Sequence, residues 1–173
     1  MRKIKAWHFC EAGEEGPITS RGGLPVVIGE TLTHDSPIAM CSSGLHASRR
    51  AIDALQYAKG CYVVRVDCWG DAIEGDDKLV ARNRHALRGF HAGEVLRKFA
   101  RMCALDVLRL WDPPGVVVEY LKTGRDDLRD AARAAARDAA MDAAGAAAMD
   151  AAWAAQNRRL ERMLLEGMRA SDV

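Results

Sequence analysis

Apolar and polar positions alternate over residues 3–9 (KIKAWHF), with Ile4, Ala6 and His8 on one face and Lys5, Trp7 and Phe9 on the other. That period of two predicts a strand. Residues 61–67 (CYVVRVD) are rich in β-branched and aromatic side chains and predict a second. Residues 80–87 (VARNRHAL) alternate again and predict a third, carrying Arg82 and Arg84. Shorter strands are expected at 26–33 and 37–41, joined by a turn at His34-Asp35-Ser36. Between these, Leu45–Ser48 reads as a brief extended entry to a helix with Ile52, Leu55 and Ala58 on one stripe, ending at Gly60.

From residue 91 the period lengthens. Val95, Phe99, Met102, Leu105 and Leu108 form one helical stripe, which Asp112-Pro113-Pro114-Gly115 breaks. Residues 116–121 add one more short element. Residues 125–168 read as a single alanine-rich helix, roughly 60 Å long at 1.5 Å per residue. Its larger side chains recur every four residues, from Arg129, Arg133, Arg137, Met141 and Gly145 to Met149, Trp153 and Asn157. So small-sided a helix gains its stability by packing, either on a second copy or back on its own domain. The expected fold is α+β, a small split antiparallel sheet with flanking helices followed by the long C-terminal helix. Its expected domains are residues 1–122 and the packing or oligomerising helix 125–168.

Composition narrows the function classes. A net charge of +1 gives no global field for DNA. Five cysteines without a C-x-x-C pair argue against a disulfide framework or zinc site and for a reducing compartment. No apolar run reaches membrane-spanning length, so the expectation is a cytoplasmic protein without membrane or DNA partners.

The candidate chemistry gathers in residues 43–79. Ser48 stands where a helix N-cap would stand, and Arg49 and Arg50 follow it, where the helix dipole disfavours cations. Free backbone N–H groups, a hydroxyl and two guanidinium forks would together seat a phosphate. Glu74-Gly75-Asp76-Asp77 then places three acids around a glycine at a strand end.

The stretch GLHAS, helix, CYVVRVDCWGDAIEGDDKLV resembles the core of the rifamycin-type ADP-ribosyltransferases, over roughly residues 1–90. That resemblance implies NAD lying across a split sheet. It assigns ribose contact to His8, ring stacking to His46 in place of the usual tyrosine, and the catalytic acid to Asp76 or Asp77. The sequence departs from that family where Phe9-Cys10 replaces Gly-Thr and where EGDD replaces EDD. The whole chain also resembles an uncharacterised family scattered through bacterial and viral genomes. These readings give a non-catalytic nucleotide-binding protein with ligand residues His8, His46, Ser48, Arg49, Arg50, Tyr57, Arg82 and Arg84. It would require no cofactor, would form homo-oligomers through the helix, and would sequester a host immune signal for a virus. The alternatives are an NAD-dependent ADP-ribosyltransferase and a structural oligomer without a small ligand.

Overall fold

A computed structural model describes residues 2–12, 17–110, 112–140 and 149–171, without the side chains of 110, 137–140 and 149–152. Five strands form one antiparallel sheet: β1 (Ile4–Cys10), β2 (Thr31–Thr33), β3 (Leu45–Ala47), β4 (Tyr62–Glu74) and β5 (Leu79–His91). The order is β1-β4-β5-β2, and β3 pairs with the start of β5 while β2 pairs with its middle. The expected α+β class holds, with helices α1 (Ala51–Gln56), α2 (Gly93–Asp106), α3 (Gly115–Thr123), α4 (Asp126–Ala140) and α5 (Met149–Ala170).

The long β4–β5 hairpin is the spine. Register shifts at Arg65/Val66 and Trp69/Ala72 bend it, as bulges do. The sheet curls far enough that the residue after β3 pairs back on β1: Trp7 N–H donates to the Ser48 carbonyl at 2.7 Å, and Ser48 N–H donates to the Trp7 carbonyl at 3.0 Å. Ile4, Ala6, Cys10, Val64, Val66, Cys68, Leu79 and Ala81 fill the core inside this curl.

The chain forms two compact units. One comprises Met1–Gly93 with Asn157–Val173, the other Glu94–Gln156, so the division falls at Gly93 and within α5. In the first unit, Asn157, Leu160, Leu164 and Met168 make one buried stripe on α5 at helical spacing. Gly167 in that stretch leaves room for the Phe90 ring, which an added Cβ would meet at 2.5 Å. In the second unit, α3 packs on α4 and ends at Gly124, whose N–H donates to the Tyr120 carbonyl at 2.7 Å.

Several local expectations are corrected. Of residues 26–33 only Thr31–Thr33 is a strand, because the Glu30 N–H turns back to the Val27 carbonyl. Residues 37–41 are not a strand either; they lead into a turn in which the Ala39 carbonyl accepts from Ser42 and Ser43 N–H. The helix expected to run to Gly60 stops at Gln56. The polar segment 11–25, of which 13–16 lie outside the described residues, is held by backbone pairing of Glu11 with Thr19 and of Thr19 with Pro25. The tail is helical over Asp126–Ala140 and Met149–Ala170; Met141 and Gly145 of its four-residue stripe lie outside the described residues.

Candidate functional site

The expected phosphate seat at the start of α1 is already filled from within the chain. The N-cap residue is Arg50, and it makes no side-chain cap bond. Ser48 does not cap: it lies two residues before the N-cap, with its backbone paired to Trp7 of β1. The helix is capped instead from α5: Ala51 N–H donates to Glu161 Oε1 at 3.2 Å, and Ile52 N–H donates to Asn157 Oδ1 at 3.1 Å. Arg49 grips Glu74 with two hydrogen bonds, at 2.6 and 2.9 Å, which hold the Glu74 carboxyl below its ordinary range. Arg50 pairs with Asp53 at 2.5 Å. Both arginines are exposed, and neither lines the cavity described below. Arg82 is likewise engaged elsewhere, on Asp71 and on the His34 carbonyl.

A cavity of about 440 Å³ opens instead between β1, β3 and α1, wholly within the first unit. β1 contributes Trp7, His8 and Phe9; β3 contributes Leu45, His46 and Ala47, followed by Ser48. Ala54 and Tyr57 come from α1 and its end, Arg84 from β5, and Lys78 from the hairpin turn. Ser20, Arg21, Leu24, Cys41 and Gly44 complete the rim. Among the described residues the lining thus holds three permanent cations, two imidazoles, three aromatic rings and no carboxylate. Gly44 is required at its place: its φ is +112°, and an added Cβ would stand 2.5 Å from the Val80 side chain.

Both imidazoles are held neutral. Burial, then the charges of Arg84 and His46, bring the His8 pKa well below its usual value, and its Nε2 is buried without a partner among the described residues. Burial also lowers His46, whose Nε2 accepts the Cys41 N–H at 3.0 Å. That bond places the ring proton on Nδ1, toward the Gly44 carbonyl. Cys41 makes the bond from a left-handed backbone, φ 65°, which a non-glycine residue rarely adopts.

Arg84 is 3% exposed. Its Nη1 donates to the His46 carbonyl at 2.7 Å, and its Nη2 is buried without a partner among the described residues. The two thiols in electrostatic reach supply no countercharge: burial pushes Cys10 up to about 11 and Cys68 to about 12, so both are neutral at neutral pH.

At the mouth, Tyr57 donates its hydroxyl to Asp77, and the Lys78 ammonium lies 4.5 Å over the same ring. Asp77 therefore reaches the cavity only through Tyr57. Asp76 is exposed in the hairpin turn and does not line the cavity. Of the sequence-derived site residues, the fold brings together His8, His46, Ser48, Tyr57 and Arg84, and sets apart Arg49, Arg50 and Arg82. Sequence reasoning missed Lys78, Arg21 and Cys41, which lie in turns and carry no periodic signal.

A family model described as a domain of unknown function (DUF7666) matches residues 5–98. The chain belongs to that family. No curated protein and no solved structure matches the chain. The matched span covers the five strands save Ile4 and every residue that lines the cavity, and it leaves out the α5 residues that cap α1. Among the described residues, no group of three His, Cys, Asp or Glu side chains stands close enough to hold a metal, and no helix is long and apolar enough to cross a membrane.

Proposed function

We propose that the cavity is a binding site for a nucleotide and that the protein holds this ligand without transforming it. The observation that carries the reading is the lining itself, three cations and two neutral imidazoles among aromatic walls, with no carboxylate among the described residues. A volume of about 440 Å³ lies in the range of small-molecule sites. Aromatic faces suit a base, and Arg21, Lys78 and Arg84 suit phosphate. In its fuller form, the bound nucleotide is ADP-ribose-like or cyclic, a host signal kept out of circulation for a virus. The alanine-rich helix joins copies of the chain, its small side chains allowing close approach, and light-scattering mass tests that part.

The NAD-dependent transferase is the second reading, favoured by the hydrogen bond that sets Asp77 behind Tyr57. A carboxylate that stabilises an oxocarbenium-like centre must face it, however, and neither Asp76 nor Asp77 faces the cavity. Calorimetric titration with ADP-ribose, NAD and cyclic dinucleotides, run beside a nicotinamide-release assay, separates the readings. We expect binding without release. Release that disappears in Asp77→Ala or Asp76→Ala would establish the transferase, and silence from every ligand would leave only a structural role.

A further inference from the structure

We infer that Arg84 is the anchor of this site, the group on which the ligand's phosphate docks first; the inference rests on the nucleotide reading above and says which end of the nucleotide enters. Arginine stays charged in proteins, and a charge taken out of water needs a countercharge or a full set of hydrogen-bond acceptors. Arg84 has neither. It is 3% exposed, one backbone carbonyl takes its Nη1, and Nη2 has no partner among the described residues. Among the described residues, the groups in electrostatic reach are neutral thiols and neutral imidazoles, and no lining residue is acidic.

Other arginines of the unit are provided for. Arg49, Arg50 and Arg82 each hold a carboxylate. Arg65 also has a buried nitrogen without a partner, but its guanidinium lies 4.4 Å over the Trp7 ring with Glu161 in electrostatic reach. Arg84 alone among these combines near-complete burial with a place in a cavity wall. His8 stands in electrostatic reach of it with its own unpartnered Nε2, so a phosphate there would find a second hydrogen-bonding group. The deep end of the site is therefore set for an anion, and the more exposed Tyr57 and Leu24 remain for the rest of the molecule.

The test uses the full chain, with ADP-ribose, inorganic phosphate and uncharged adenosine titrated into the wild type, Arg84→Met, Arg84→Lys and Arg49→Ala. Loss of a charge-assisted contact should weaken ADP-ribose binding roughly 10- to 100-fold in Arg84→Met. Arg84→Lys should lose less, Arg49→Ala nothing, and adenosine should bind the wild type and Arg84→Met alike. Without ligand, Arg84→Met should melt no lower than the wild type, since it removes an uncompensated buried charge; a residue kept for structure would melt lower when replaced. Unchanged ADP-ribose affinity in Arg84→Met overturns the anchor while leaving a nucleotide site in the cavity. A clear fall in its unliganded melting temperature also overturns it. A wild type that binds no nucleotide overturns both readings.

Discussion

Two places in the first unit gather cations and free donors, and they differ in what meets those groups. At the start of α1, Arg49 and Arg50 face Glu74 and Asp53, and the helix N–H groups meet Glu161 and Asn157. In the cavity, Arg84 meets a single carbonyl and His8 Nε2 meets nothing described. The first place is rich in charge but closed, because the chain supplies its own anions. The second holds one deeply buried cation, Arg84, and among the described residues no carboxylate lines the cavity to meet it. Charge abundance marks the first, and unmet need marks the second. A ligand site belongs where the protein has left its own groups unsatisfied.

Removing Asn157 tests whether the first place is closed. Asn157→Ala leaves the buried Ile52 N–H without its acceptor and should cost about 1–2 kcal/mol of stability, read by urea unfolding. A loss under about 0.3 kcal/mol would mean that the cap contributes nothing and the helix end is open to other acceptors.

Acid should separate the two places next. His8 and His46 are held neutral by burial, whereas the unfolded chain takes up those protons near pH 6.5. Below that pH the unfolded state binds more protons, so stability falls as pH drops and returns as it rises. One such histidine contributes a slope of up to about 1.4 kcal/mol per pH unit. Glu74, whose carboxyl is held low by the Arg49 hydrogen bonds, stays ionised through the same window. Unfolding between pH 7 and 5.5 should therefore show a slope that His8→Gln reduces. A flat profile would mean that these rings are open to solvent.

The smallest effect is expected at Arg49. Its pair with Glu74 is exposed, and such pairs are worth roughly 0–1 kcal/mol. Arg49→Ala should leave stability within that range and nucleotide affinity unchanged. A lost affinity would return the phosphate seat to α1 and reverse the comparison.

The strands β1, β4 and β5 were legible because alternation and β-branched residues mark them. The outer half of β4, Trp69–Glu74, was not, because those residues are exposed or half-buried and hold their place by pairing with β5. Ser48 read as a cap from its type and position; its backbone bond to Trp7, a residue far away in sequence, overrules that. The real caps lie over a hundred residues further on, beyond any local pattern. His8 and His46 were found through the family resemblance. Arg84 was grouped with Arg82 as a ligand residue because the two alternate on one strand; Arg84 is buried in the cavity wall, whereas Arg82 is engaged on Asp71, a pairing no local pattern announces.

The capping of α1 by α5 has a consequence for synthesis. At 5–20 residues per second, the ribosome needs roughly 3–13 s to add the chain between Gly93 and Asn157. Throughout that interval the five strands are all present, yet the wall of the cavity that α1 carries lacks its last fastening. The nascent protein thus emerges with its cavity drafted early and locked late.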